Sequence, residues 1–372
     1  MRIAMLAHGP TGGSGVVARE LSNMLAASGH SVTLFSTSAS RARLIDAVRL
    51  VAVEAPDYPV LPSPAHTLAM TTALLHFLQN NQVDLVHVHY ALPWAMAAWS
   101  ATTLHGGNVP FIVTFHGTDV TGIGASDAYL GGLRAACQRA ARWTTPSKSL
   151  AIDAKTLYGV PHVLDIPNFV DGEVYQPSEG QSATRRGLGL DERRFHLVHV
   201  SNFRPVKRAE RLVPILRGLV DAGVDAHLSL VGDGPTLQDV VQGVTDAGVA
   251  HRLTVAPDAD DTLPWTQAAD ALLLTSDRES FGLVALEAMA CGRVVVASDV
   301  DGLREVINDG VDGYLRAPDD IQAWVDTLAT VSRDQTLARR IGEAGRVRAN
   351  EVFSPEAALK RYSALYAEVT GG

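Results

Sequence analysis

The sequence predicts an α/β protein built from two doubly wound, Rossmann-like domains, and three observations predict it. The chain has 372 residues, more than one ordinary core accommodates, so two domains are the natural division. Short apolar runs alternate with longer helical stretches, pause once and resume, which is the rhythm of two open parallel sheets. Motifs rich in glycine, histidine or charge fall directly after those apolar runs. Ligands of open α/β sheets sit outside the carboxyl ends of the strands, so two halves facing each other would gather these motifs around one cleft.

Taken in order, Ile3–Ala7 is the first strand, and a helix is expected from about Val16 to Ser28 before the strand Ser31–Ser36. Asp84–Tyr90 and Phe111–Phe115 are further strands, and Arg142–Thr145 is a weaker one. Near Val163–Tyr175 the rhythm stops at Ile166-Pro167-Asn168-Phe169-Val170-Asp171, and polar sequence runs to about Gly187. That segment reads as an interdomain connection, giving a first domain at 1–168 and a second at 169–353. The second domain has strands at Leu197–Ser201, Ala226–Val231, Leu253–Ala256, Ala271–Ser276 and Val294–Ala297. A helix is expected over Leu283–Cys291. The tail, Ser354–Val369, is helical again, and 354–372 is expected to pack back on the first domain.

Composition removes several classes. Hydrophobic residues make up 47% and charged residues 19%, which suits burial and not disorder. A net charge of −9 argues against nucleic acid or stable membrane association. No run approaches the roughly 18 apolar residues of a spanning helix. The opening Arg2-Ile3-Ala4-Met5-Leu6-Ala7 is a strand without a signal-peptide layout, so a cytoplasmic location is expected. Cys137 and Cys291 make no disulfide framework and read as small buried apolar residues. Homo-oligomerisation stays open.

Glu279-Ser280-Phe281-Gly282-Leu283-Val284-Ala285-Leu286-Glu287 is the most informative stretch. A buried strand precedes it, and Gly282 stands near the start of a helix. Exposed amides at such a start form an anion site. Glu287 is placed to accept hydrogen bonds from a neutral diol such as a ribose, and Glu279 can reach a second polyol. One phosphate flanked by two sugars outlines a nucleotide-sugar. The plainer reading is two solvated glutamates.

In the first half, Gly9-Pro10-Thr11-Gly12-Gly13-Ser14-Gly15 lets the backbone pass close to an anion, with a helix start behind it. Gly13-Ser14-Gly15-Val16-Val17-Ala18 also fits the dinucleotide pattern G-x-G-x-x-A. An NAD site wants an acidic residue closing the second strand. Here Arg41 and Arg43 follow instead, so only an NADP reading survives. His87 and His89 share one strand face without a third metal ligand in view, and read as packed structural histidines. Tyr90 is better placed to face a ligand. His116, at a strand tip before Gly117-Thr118-Asp119, can bond a sugar hydroxyl or stabilise charge near a reacting carbon.

In the second half, Ser201-Asn202-Phe203-Arg204-Pro205-Val206-Lys207-Arg208 concentrates three cations after a strand, which suits an anion. Val231-Gly232-Asp233-Gly234-Pro235 is either a nucleotide wall or an ordinary turn. Asp258-Ala259-Asp260 has the form of a D-x-D metal motif, but its hydrophilic setting reads as a solvated turn.

These motifs together resemble the family 4 retaining glycosyltransferases of GT-B fold. The resemblance rests on the E-x7-E element from Glu279 to Glu287, Gly12–Val17, His87-Val88-His89-Tyr90-Ala91, His116–Asp119, Ser201–Arg204 with Val206-Lys207-Arg208, and Ala288-Met289-Ala290-Cys291-Gly292. It is strongest toward the branch that glycosylates L-malate in bacillithiol biosynthesis. It implies transfer of N-acetylglucosamine from UDP-N-acetylglucosamine to the malate hydroxyl with the α configuration retained. Inositol phosphate as acceptor, or 2-epimerisation of the same donor, are the alternatives.

By this resemblance Glu287 binds the uridine ribose, and Glu279 with the backbone of Phe281, Gly282 and Leu283 holds donor sugar and diphosphate. Arg204 and Lys207 neutralise the leaving group, and His116 contacts the donor sugar. Gly13, Gly15 and Asn202 complete the donor contacts. Asn202 stands where many family members have arginine, which puts the diphosphate clamp on Arg204. Ser14, Tyr90, Thr118 and Arg134 are assigned to the acceptor. No cofactor or metal is expected, since fixed cations can replace one.

Overall fold

Thirteen strands among the described residues form two all-parallel sheets. The computed structural model describes residues 1–9, 12–57, 60, 63–257, 259 and 261–371. Two units result, Met1–Asn168 with Pro355–Gly372, and Phe169–Ser354. No helix among the described residues is long and apolar enough to cross a membrane.

The first unit contains β1 (Arg2–Ala7), β2 (Ser31–Ser36), β3 (Val48–Ala52), β4 (Leu85–His89), β5 (Phe111–Thr114), β6 (Arg142–Thr145) and β7 (Leu164–Asp165). Their order is β3-β2-β1-β4-β5-β6-β7, so direction reverses between β1 and β4. Parallel strands covered on both faces need near-continuous apolar sequence. Ala4, Leu6, Val86 and Val88 meet Met70, Leu74, Trp94 and Ala98 from the helices His66–Asn80 and Ala91–Leu104. The helix Pro355–Thr370 brings buried Tyr362 and Tyr366 against the ring of His87.

The second unit contains β8 (Phe195–Val200), β9 (Ala226–Val231), β10 (Leu253–Ala256), β11 (Ala271–Leu274), β12 (Val294–Ser298) and β13 (Tyr314–Arg316). Their order is β10-β9-β8-β11-β12-β13, reversing between β8 and β11. Alternate residues divide between two cores: Leu197, Leu228 and Leu273 pack with Leu212, Ile215 and Trp324, while Val198, Leu272 and Val295 pack with Ala285, Leu286 and Met289.

Three strands were not expected, β3, β7 and β13, and each is the outer strand of its sheet. They are short or half-exposed, so they lack the apolar run that marks a central strand. The first helix is also corrected. It spans Gly13–Ala27, not Val16–Ser28, with Gly12 at φ 99° before it. Propensity alone disfavours Gly13-Ser14-Gly15, but first-turn residues give up no intrahelical amide bond.

Candidate active site

At the reversal between β8 and β11, the loops leaving the two strands are tied by a charge pair. Lys207 Nζ lies 2.6 Å from Glu279 Oε2, and Ser276 Oγ donates to the same oxygen at 3.4 Å. The side chains are 17% and 15% exposed, a setting where charge attraction exceeds its value in water. Two further bonds reinforce the pairing, with Asp277 N donating to Val206 O at 3.0 Å and the Thr275 hydroxyl to Lys207 O at 3.1 Å. Arg208 turns to the scaffold, bonding Asp277 at 2.8 Å, where Arg211 also donates at 2.6 Å. Burial alone would raise the Asp277 carboxyl, but those two guanidinium groups outweigh it and hold it below its ordinary range. Arg204 is exposed, its Nε 3.3 Å from Asn202 Oδ1.

Gly282 opens the helix Leu283–Ala290 with φ 94°, and a Cβ there would stand 2.6 Å from Leu303 Cδ2. Both the backbone angle and the space call for glycine. The first helical bond runs from Leu286 N to Gly282 O, so the preceding amides of the turn have no helical acceptor. Phe281 is buried edge-on against Phe353 at 5.6 Å, and Glu287 is half-buried beyond one turn of this helix.

The glycine-rich turn after β9 braces the basic loop. A Cβ on Gly234 would lie 1.9 Å from Asn202 O, and Thr236 donates both its amide (3.0 Å) and its hydroxyl (2.7 Å) to Phe203 O. The sequence allows either a nucleotide wall or a plain turn here. Its residues support the basic loop, and Gly232 N also donates to Ala256 O of β10 at 3.0 Å.

In the first unit, fully buried Asp119 organises the tips of β4 and β5. Its carboxylate accepts from Ala91 N (2.9 Å), His116 N (3.0 Å) and Gly117 N (2.8 Å). Burial raises this carboxyl against the pull of those amides. Tyr90 has φ 78°, uncommon for a residue with a side chain, and its hydroxyl donates to Thr118 Oγ1 at 2.7 Å. His116 Nε2 is 3.1 Å from His89 Nδ1. Burial, then the charge His8 would carry, lowers His116 to about 3, so near neutrality it acts through hydrogen bonds and not as a base. His87 sits between Tyr366 Oη and Thr114 Oγ1, each at 2.7 Å. These contacts are those of a packed structural histidine.

The structure therefore pairs Lys207 with Glu279, Asn202 with Arg204, and Tyr90 with Thr118. Gly13, Ser14 and Gly15 form the first turn of their helix. Arg134 stands apart from that pair: its guanidinium donates to Leu157 O at 3.1 and 2.7 Å, bracing one helix against the next. Pro10, Thr11, Asp258 and Asp260 lie outside the described residues. Among the described residues no group of three or more His, Cys, Asp or Glu side chains is arranged to hold a metal ion. The grip of Asp119 was missed, because its partner Ala91 leaves a different strand. The only signal was an acid two residues after a strand-end glycine.

Residues 11–174 match the family model "Glycosyltransferase Family 4", and residues 180–348 match "Glycosyl transferases group 1". The chain is 32% identical to N-acetyl-alpha-D-glucosaminyl L-malate synthase of Bacillus anthracis, over 99% of this chain and 97% of that one. It is 28% identical to D-inositol 3-phosphate glycosyltransferase of Kribbella flavida, over 90% and 86%. Among solved structures, sucrose-phosphate synthase from Thermosynechococcus elongatus matches with TM-score 0.84 at 23% identity, covering 100% and 99%. Anabaena HepE in complex with UDP and glucose matches with TM-score 0.83 at 19% identity, covering 99% and 100%. Both likenesses extend over the whole chain and show the GT-B fold.

Proposed function

The chain belongs to glycosyltransferase family 4, and we propose that it moves N-acetylglucosamine from UDP-N-acetylglucosamine to the hydroxyl of L-malate, with retention. The observation that carries this reading is the Lys207–Glu279 pair set beside the glycine-opened helix at 282–283. A diphosphate needs cations and amides together, and a sugar needs carboxylate acceptors. The transferred sugar and the acceptor are taken from the name of the relative matched end to end.

In this reading Lys207, Arg204 and the amides after Gly282 receive the charge that develops as the bond to UDP loosens. An oxocarbenium-like sugar forms, and an oxygen of the departing phosphate takes the acceptor proton on the same face. Neutral His116 bonds the donor sugar. Tyr90, Thr118 and Ser14 hold the acceptor. Glu279, already bound to Lys207, orients the sugar and leaves the substitution free of a covalent intermediate.

The test is UDP release by the purified protein with UDP-N-acetylglucosamine and, in turn, L-malate, D-inositol 3-phosphate or water. Release confined to L-malate supports the reading, and the anomeric proton coupling of the product reports retention. The identity to inositol phosphate glycosyltransferases makes that acceptor the second reading, and release with it alone would replace malate. Formation of UDP-N-acetylmannosamine without an acceptor would instead identify an epimerase. Activity should survive EDTA; a tenfold loss restored by magnesium would reject the metal-free mechanism.

A further inference from the structure

We propose that His199 and Ser201 are positioning residues that set the basic loop in its ligand-binding shape, through a hydrogen-bond chain running from the sheet to Phe203. The proposal rests on the reading of that loop as the donor diphosphate site. His199 is fully buried in β8, with Nδ1 2.9 Å from Leu273 O in β11. A carbonyl only accepts, so Nδ1 carries the proton. Nε2 of a neutral ring is then a bare acceptor, and it receives the Ser201 hydroxyl at 2.9 Å. With its proton committed there, Ser201 Oγ accepts from Phe203 N at 3.1 Å.

Every donor and acceptor in this chain is thereby assigned. Burial favours the neutral ring it requires, lowering His199 to about 4 against the bond to Leu273 O; nearby Lys207 also lowers it and Glu279 raises it. Phe203 is the residue that needs holding. Its φ is 40°, in the left-handed region that side chains disfavour. Ser201 fixes its amide, Thr236 fixes its carbonyl, and its ring lies edge-on over His199 at 5.4 Å. Asn202 and Arg204 flank this residue, so their directions follow from it. A loop set in advance loses less freedom when it binds an anion.

Ser201→Ala removes one oxygen. His199→Asn retains a donor for Leu273 O and removes the acceptor for Ser201. Each single variant should bind UDP about tenfold more weakly by calorimetry, the cost of one hydrogen bond, and should raise the donor KM while leaving the malate KM unchanged. Ser201→Thr, which keeps the hydroxyl, should behave as wild type. The double variant should lose no more than either single one, because both cut the same chain. Wild-type affinity in the single variants, or losses that multiply in the double, would overturn the proposal. Hydrogen exchange on the unliganded proteins separates this from the donor-site reading. Failure of the wild type to bind UDP would sink the donor-site reading alone, and faster exchange across 202–208 in Ser201→Ala would still support the chain. Unchanged exchange there would overturn it.

Discussion

The two units solve the same problem, holding polar side chains at strand tips beside a reversal in strand order, by different electrostatic means. In the second unit, opposite charges do the holding: Lys207 with Glu279, and Arg208 and Arg211 with Asp277. In the first, a carboxylate gripping backbone amides and a row of neutral imidazoles do it. The difference separates what each surface can receive. A cation paired with one carboxylate can turn to a stronger anion, freeing that carboxylate to accept from a sugar hydroxyl. A site of neutral donors and acceptors discriminates by direction and distance, and it depends on pH through its rings.

The sharpest way to break this comparison is to remove the cation. Lys207→Ala should lower kcat/KM by about 10²–10³-fold, the usual cost of one donor to a developing anion, with an unchanged circular dichroism spectrum. A loss under threefold would mean that the charge pair is scaffolding. Next in size is the first unit's carboxylate. Asp119→Asn turns one of its acceptors into a donor facing backbone amides and should cost about 1–3 kcal/mol in urea unfolding, with a raised malate KM. An unaltered midpoint would remove Asp119 from its organising place.

Acid should weaken both units. His87 and His116 are held to about 3 and His89 well below its ordinary value, chiefly by burial. His199 and His227 in the second unit are held to about 4, and burial lowers His196 as well. Below pH 6.5 the unfolded chain takes up protons that these rings refuse. Stability present above that pH is therefore lost as the pH falls toward the folded values, by on the order of 1 kcal/mol per pH unit for each ring. Between pH 7 and 5, amide exchange corrected for its intrinsic rate should rise in β4 and β5 and in β8 and β9 alike. Exchange that stays constant in one unit would remove its buried rings from this account.

The smallest effects concern the acceptor surface. Thr118→Val should raise the malate KM several-fold, whereas Arg134→Ala should leave it within about twofold, because that guanidinium is committed to Leu157 O. A large malate effect at Arg134 would show that it reaches the acceptor despite this bond.

Legibility in the sequence followed burial. The strand Ala226–Val231 could be read to the residue, since a parallel strand covered on both faces is largely apolar. Val48–Ala52 could not, because an outer strand is half-exposed and carries Arg49 amid its apolar residues. At the site, residue types were visible but partnerships were not. Lys207 and Glu279 each stood out as a charge after a strand, yet 72 positions separate them. The chain from His199 through Ser201 was hidden for the same reason, since its anchor, Leu273 O, comes from another strand.

The return of Pro355–Thr370 to the first unit has a consequence for biosynthesis. Tyr366 is the partner of His87 Nδ1, and it is translated 279 residues later. On the ribosome the earlier-made half waits, with the ring of His87 unpartnered and a sheet face uncovered, until the chain has been made as far as Tyr366. The half translated second can finish first, reversing the usual N-to-C order of domain completion.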